Sequence, residues 1–166
     1  MSDVLILVAS KGMNVPLGEK LAEEVKTQGG TVEIINLVDL GLSLYPAECE
    51  ESKQKAIELT EKVSNAKSVI AVAPEYNGSI PPSFNNTLAW ISTSTKDWRE
   101  AFNGKPAAVT THSGGGGAHV LLAMRQQLAF IGANVIGREI LTHYKKQLNP
   151  ESATAVVEQL LKYAKA

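Results

Sequence analysis

Cysteine is nearly absent from this chain of 166 residues, because Cys49 is its only thiol. One cysteine excludes a disulfide framework, and no group of Cys, His and acidic residues has the spacing of a metal site. We therefore expect a reducing compartment, the cytoplasm. Long hydrophobic runs are also missing, since every apolar run is far shorter than the roughly 20 residues of a membrane helix. The first residues show neither a basic segment nor a cleavage site, so we expect no signal peptide.

An excess of charge of either sign is lacking as well. The chain has 16 basic and 17 acidic side chains, a net charge of −1. This balance excludes the strongly basic face of a nucleic-acid-binding protein and argues against a very acidic electron shuttle. The hydrophobic fraction of 44% is ordinary for a globular protein. We predict one domain over residues 1–166 that needs neither a disulfide nor a structural metal.

What the sequence does contain is a regular alternation of short apolar segments with longer segments of helical period. Residues 4–9 (VLILVA) form a continuous apolar run, which is typical of a strand buried on both faces of a parallel sheet. Leu17, Leu21 and Val25 follow at a spacing of four, as on one face of a helix. The alternation predicts an α/β fold, a parallel sheet with right-handed crossovers and helices on both faces. Strands are predicted at residues 4–9, 31–37, 68–73, 106–111 and 134–141.

Ligands of such sheets bind beyond the carboxyl ends of the strands, so the loops after strands one, three and four should carry the function. The first loop contains Ser10, Lys11, Gly12 and Asn14 just before a helix. The free N–H groups and positive dipole end of a helix suit a phosphate. The alternative is an ordinary turn with Asn14 as helix N-cap. Neither the Gly-Lys-Ser/Thr of a P-loop nor the glycines of a dinucleotide fingerprint are present.

The second loop runs from Pro74 to Pro82 and combines an aromatic ring, an amide, a hydroxyl and a glycine. A flat heterocycle needs a surface beside it, which Tyr76 offers, and donors at its edge, which the N–H groups of Asn77 and Gly78 offer. Asn-Gly is usually a hairpin turn. Proline and then a helix follow here, so we predict that no hairpin forms. The alternative for Tyr76 is a half-buried plug.

The third loop begins with His112 and Ser113 and continues with four consecutive glycines. Glycine is costly to order, and such a run is tolerated where the backbone passes close to a flat ligand. A mobile lid is the competing interpretation. His112 is a candidate base, but nothing in the sequence pairs it with a nucleophile, so a structural role is the alternative.

The stretch Pro74-Glu75-Tyr76-Asn77-Gly78-Ser79-Ile80-Pro81, followed by Asn86, Leu88, Trp90 and Ser92, resembles the signature of the NAD(P)H-dependent FMN reductase family. That family includes flavin, quinone, chromate and azo-dye reductases. The resemblance implies a three-layer, flavodoxin-like, doubly wound fold with five parallel strands in the order 2-1-3-4-5. Two departures stand out: the first loop lacks the usual arginine and second serine, and Asn85 and Ala89 replace a lysine and an acidic residue.

The resemblance also implies the residues that bind FMN. Ser10, Lys11, Gly12 and Asn14 should hold the phosphate. The isoalloxazine should be lined by Pro74, Glu75, Tyr76, Asn77, Gly78 and Ser79. Its pyrimidine side should be closed by His112, Ser113, Gly114 and Gly115. Members of the family are usually homodimers or homotetramers.

The sequence shows no nucleophile–base pair, carboxylate dyad or metal cluster, as expected where a cofactor carries the chemistry. We predict that NADPH or NADH delivers hydride to flavin N5 and then leaves. Free flavin, a quinone or another electrophile should then bind in place of the nicotinamide, in a ping-pong cycle. Two alternatives stay open, a flavodoxin-like electron carrier without enzymatic activity and a cofactor-free α/β regulatory or scaffold domain. No 2′-phosphate site is identifiable in the sequence, so it does not choose between NADPH and NADH.

Overall fold

A computed structural model describes residues 1–164, in which strands and helices alternate along the chain. The strands are β1 (Val4–Val8), β2 (Val32–Asn36), β3 (Ser68–Val72), β4 (Pro106–His112), β5 (Asn134–Val135) and β6 (Ile140–Thr142). The helices are α1 (Asn14–Thr27), α2 (Glu50–Asn65), α3 (Pro82–Ile91), α4 (Ala118–Phe130) and α5 (Pro150–Ala164). A short 3-10 helix at Trp98–Ala101, which the sequence pattern does not predict, lies between α3 and β4.

The strands form one parallel sheet in the order β2-β1-β3-β4-β5, with β6 also beside β4. Val4 of β1 lies opposite Val32 on one side and Ser68 on the other. This order confirms the predicted doubly wound, flavodoxin-like fold. Because all strands run in the same direction, the loops that follow β1, β3, β4 and β6 lie at the same edge of the sheet, here called the carboxyl edge.

Alternating side chains of the central strands fill two separate cores. Leu5 and Leu7 of β1 pack with α2, α3 and α4 on one face, and Val4 and Ile6 pack with α1 and α5 on the other. A strand covered on both faces buries every side chain, which explains the unbroken apolar run. Full burial of each such side chain contributes roughly 1.5–3 kcal/mol. The core therefore holds the strand ends rigidly and fixes where each loop at the carboxyl edge begins.

The predicted fifth strand at residues 134–141 is wrong in one respect, because it is interrupted. It forms two short strands, β5 and β6, which pair with opposite ends of β4. Between them Arg125 of α4 donates to the carbonyl of Ile136 at 2.8 Å and to the carboxylate of Glu139 at 3.1 Å. The guanidinium thereby occupies the Ile136 carbonyl, an acceptor that a continuous strand would use for its ladder. Within residues 1–164, no helix is long and apolar enough to cross a bilayer.

Candidate functional site

Asn14 joins the first loop to the third. Its amide nitrogen donates to the His112 carbonyl at 2.9 Å, and its amide oxygen accepts from the His112 N–H at 2.8 Å. Asn14 is only 2% exposed. Both ends of the amide are therefore used, so its side chain positions the loops, while its backbone N–H at the start of α1 has no acceptor in residues 1–164.

The first loop presents backbone donors in front of a helix. The Ser10 hydroxyl accepts the Gly12 N–H at 2.9 Å and shapes the turn. Within the described chain, the N–H groups of Lys11, Met13 and Asn14 have no protein acceptor. These donors at the positive end of α1 form an arrangement that binds phosphate. The Lys11 side chain is exposed, and its charge is paired with Asp39.

The Asn77-Gly78 turn is a two-residue hairpin, so the prediction that no hairpin forms is wrong. Tyr76 and Ser79 exchange two backbone hydrogen bonds of 3.0 Å each. Asn77 has φ 50° and Gly78 has φ 73°, as a type I′ turn requires. The prolines at 81 and 82 stop the ladder after one pair, but they do not prevent the turn. The N–H groups of Asn77 and Gly78 have no acceptor in residues 1–164.

Glu75 uses its carboxylate to cap α4. Oε2 accepts the N–H of His119 at 3.0 Å and that of Val120 at 3.2 Å. A negative charge at a helix N-terminus is favourable, and it binds the second loop to the helix that follows the third. His119 itself is largely exposed, with Nδ1 3.8 Å from Oε1 of Glu75. The carboxylate of Glu75 is therefore already occupied by α4. The predicted contact of Glu75 with the flavin stays a prediction.

Ser113 links the second and third loops through a chain of hydroxyl groups. Its Oγ accepts the Glu75 N–H at 2.6 Å and lies 2.9 Å from Oγ1 of Thr111. Thr111 donates to the Ala73 carbonyl at 2.6 Å, so the Ser113 hydroxyl donates to Thr111. Ser113 is buried. It therefore sets the spacing between the two loops rather than presenting its hydroxyl to a ligand.

The glycine run forms an open edge opposite the Asn77-Gly78 turn. Gly114 and Gly115 are exposed, and across residues 1–164 their N–H groups have no protein acceptor. Gly117 has φ 83°, and a Cβ there would lie 2.7 Å from the Thr111 methyl group. Only glycine fits at that position, so the run both enters α4 tightly and leaves its first residues free for a ligand.

His112, at the end of β4, contacts residues that the sequence pattern does not predict as its neighbours. Its Nδ1 is 3.1 Å from Oγ1 of Thr142, a hydroxyl that donates to the Thr111 carbonyl, so His112 donates from Nδ1. Its Nε2 is buried and has no partner in the described residues. Tyr144 meets the imidazole edge-on, with ring centroids 5.4 Å apart. These contacts fit the structural interpretation of His112, and they bring the loop after β6 to the site, which sequence reasoning missed.

Two signature residues on α3 hold the segment between β2 and α2. The Asn86 amide nitrogen and the Trp90 indole N–H both donate to the Ser43 carbonyl, at 3.0 and 2.7 Å. Asn86 also accepts the Tyr45 N–H at 2.8 Å. The hydroxyl of Ser83, at the start of α3, donates to the Ala9 carbonyl at 3.1 Å, directly before the first loop. These residues therefore fix the outer wall of the carboxyl edge.

One large cavity is remote from these loops. It measures about 660 Å³ and lies beside the amino-terminal end of β4 and β5, between Gly104, Gly137 and Tyr163. The carboxyl edge has smaller depressions, of about 270 Å³ beside Val38 and Ser83 and about 40 Å³ beside His112. We place the site at the carboxyl edge because its three loops expose unbonded N–H groups. A ring bound there against backbone needs no deep cavity.

The chemistry of these donors fits FMN. The first loop offers N–H groups and a helix dipole for a phosphate, and the other two offer N–H groups and glycines for a flat polar ring. Within residues 1–164, no group of three His, Cys, Asp or Glu side chains could hold a metal ion. The structure thus brings the three predicted loops together. The backbone N–H groups at this edge lack acceptors in residues 1–164, whereas the side chains of Asn14, Glu75 and Ser113 connect the loops.

The chain is similar to known proteins in sequence and in fold. Residues 2–147 match the family model of NADPH-dependent FMN reductase. An uncharacterized MG342 homolog of Mycoplasma pneumoniae is 27% identical over 164 residues, 95% of this chain and 96% of that protein. The quinone reductase of Escherichia coli is 34% identical over 58% of this chain, and the match spans 53% of the reductase, about half its length. The flavoenzyme FerB of Paracoccus denitrificans has a similar fold, with a TM-score of 0.78, 20% identity and coverage of 99% and 98%.

Proposed function

This chain belongs to the NADPH-dependent FMN reductase family, and from that premise we propose its reaction. The protein passes hydride from NADPH or NADH to a quinone or another small electrophile. Membership in the family confirms the predicted FMN and nicotinamide cofactors and the oxidoreductase class. The acceptor, the order of the steps and the FMN-binding residues are our proposal.

One observation carries the proposal, the three loops with unbonded N–H groups that are held together at the carboxyl edge. Asn14 connects the first and third loops, and Ser113 connects the second and third. A ligand that bridges all three must combine an anionic group with a flat ring that accepts hydrogen bonds. FMN has this composition, and preorganised donors bind it without a further cost of ordering.

The roles of the residues follow from their positions. The N–H groups of Lys11, Met13 and Asn14 would bind the phosphate at the start of α1. Those of Asn77, Gly78 and the glycine run would donate to the pyrimidine edge of the ring and stabilise negative charge there. When bound, FMN supplies the ring that accepts hydride and passes it on. No side chain need act as a general acid.

The nicotinamide and the acceptor would use the open side of the site in turn, the ping-pong order that the sequence analysis predicts. Tyr76 is 52% exposed beside that side and offers apolar contact to either molecule. A quinone is the acceptor we favour, because the relative in Escherichia coli is described as a quinone reductase. The homodimeric or homotetrameric state and the cytoplasmic location stay predictions.

The direct test is an anaerobic titration of FMN-loaded protein with NADPH and NADH, followed by a quinone, with the visible absorbance of the flavin as readout. We expect a reduced nicotinamide to bleach the flavin and the quinone to restore its colour. Bleaching by dithionite but by neither nicotinamide would contradict a reductase and favour an electron carrier. Failure of the protein to bind FMN would favour a cofactor-free domain.

Two glycine variants test where the flavin binds. Gly115 and Gly137 both lie outside the left-handed region, and a Cβ on either has room. Both proteins should therefore fold with valine at these positions. We expect Gly115→Val, at the carboxyl edge, to lose FMN affinity, and Gly137→Val, at the 660 Å³ cavity, to keep it. The reverse result would place FMN in the large cavity and refute our assignment.

A further inference from the structure

The turn between β6 and α5 is built as a small rigid hairpin. His143 and Lys146 exchange two backbone hydrogen bonds of 2.9 Å, which leaves Tyr144 and Lys145 as its central residues. Nδ1 of His143 accepts the Lys145 N–H at 3.3 Å. We call residues 143–146 the β6 turn. Its geometry holds four polar or aromatic side chains at a fixed place on the carboxyl edge.

The β6 turn is attached to the third loop of the flavin site. Thr142, just before the turn, accepts the Ser113 N–H at its carbonyl at 3.1 Å. Tyr144 packs against the edge of His112, and a Cβ on Gly114 would lie 3.3 Å from its ring. Tyr144 nevertheless stays 73% exposed. The turn is therefore a neighbour of the glycine run with one aromatic face open to solvent.

The two lysines of the turn carry charge that the described part of the chain does not neutralise. Lys145 and Lys146 are exposed, and within residues 1–164 neither forms an ion pair. By contrast, Lys11 at the same edge pairs with Asp39, and Lys55 pairs with Glu51. Two consecutive exposed lysines without an ion-pair partner supply the positive charge that suits a phosphate group of a nucleotide.

We propose that the β6 turn binds the 2′-phosphate of NADPH. The inference rests on the proposed function, because it needs a dinucleotide whose nicotinamide lies on the flavin. The proposed flavin phosphate uses the N–H groups at the start of α1, which leaves the two lysines free for a different phosphate. A phosphate monoester carries a charge of about −1.5 to −2 at neutral pH, more than either phosphate of the dinucleotide bridge, and two ammonium groups match it. The turn would favour NADPH over NADH.

The test measures binding without turnover, by calorimetric titration of FMN-loaded protein with 2′-phospho-ADP-ribose and with ADP-ribose. The variant is Lys145→Gln/Lys146→Gln. The matched control is Lys96→Gln/Lys162→Gln, which removes two exposed charges at the opposite edge of the sheet. We expect the first variant alone to bind 2′-phospho-ADP-ribose about tenfold more weakly, about 1.4 kcal/mol. Its affinities for ADP-ribose and for FMN should stay unchanged.

Three results would overturn the proposal. Unchanged binding of 2′-phospho-ADP-ribose would show that the turn does not contact it, and equal weakening of both ligands would point to the bridging phosphates. Loss of FMN would assign the lysines to the flavin phosphate. The proposed function is judged separately by NADPH reduction of the wild-type flavin. Lysine-dependent binding of 2′-phospho-ADP-ribose supports the docking site even if that reduction fails.

Discussion

Replacing Ser113 with alanine should loosen the contact between the second and third loops. The Ser113 hydroxyl accepts the Glu75 N–H at 2.6 Å and donates to Thr111, and its residue is 3% exposed. Alanine leaves that N–H without an acceptor, which costs about 1–3 kcal/mol. At about 2 kcal/mol the midpoint of thermal unfolding falls by roughly 4–8 °C for a domain of this size. If about 1.4 kcal/mol of this loss reduces the free energy of FMN binding, FMN binds about tenfold more weakly.

A buried serine far from the site provides the control. Ser94 is buried, lies 2.9 Å from Oγ1 of Thr60 and donates to the Ile91 carbonyl at 2.7 Å. Ser94→Ala should lower stability without changing FMN affinity. Thermal unfolding of FMN-free protein gives the stabilities, and quenching of flavin fluorescence gives the affinities. The reasoning is refuted if Ser113→Ala binds FMN as tightly as Ser94→Ala does.

Three further predictions concern contacts outside the loops. Trp90→Phe removes the 2.7 Å hydrogen bond to the Ser43 carbonyl, so the unfolding free energy should fall by about 1 kcal/mol. Limited proteolysis should then cut the segment before α2 faster, and an unchanged cleavage rate would contradict the role of Trp90 in holding that segment. Hydrogen bonds from Thr31 and the neighbouring Lys67 hold the pKa of the Asp3 carboxyl well below its usual range. The stabilising effect of the Asp3 carboxylate is therefore complete above the unfolded pKa and is lost as pH falls. The difference in unfolding free energy between wild type and Asp3→Asn, measured in urea, should shrink below about pH 4. A difference that stays constant with pH would contradict this prediction. A hydrogen bond from Ser43 lowers the pKa of the Cys49 thiol to about 7, so alkylation by iodoacetamide should reach half its maximal rate there, and a midpoint near the ordinary value of about 8.5 would disprove it.

The fold could be read from the sequence because its main signals are local. The run Val4–Val8 is apolar at every position, and only a strand with helices on both faces buries it completely. The helical spacing of Leu17, Leu21 and Val25 predicts one buried face, and all three are buried. Loops between such elements must then gather at one edge. The place of the candidate site therefore follows from the alternation itself.

The parts that could not be predicted depend on contacts between distant residues. The break between β5 and β6 depends on Arg125, whose partners come from a different element. The carboxylate of Glu75 binds N–H groups 44 and 45 residues away, so nothing in its own loop indicates a helix cap. The prolines after Asn77-Gly78 argue against a hairpin in the sequence, although the dihedral angles of the turn depend only on its two central residues. The contact of Tyr144 with the third loop is likewise visible only in three dimensions.

The most direct test of the central claim is a crystal structure of the FMN complex. We predict the phosphate at the N–H groups of Lys11, Met13 and Asn14, and the ring between the Asn77-Gly78 turn and Gly114-Gly115. FMN bound in the cavity beside Gly104 and Tyr163, with the three loops bare, would contradict the account.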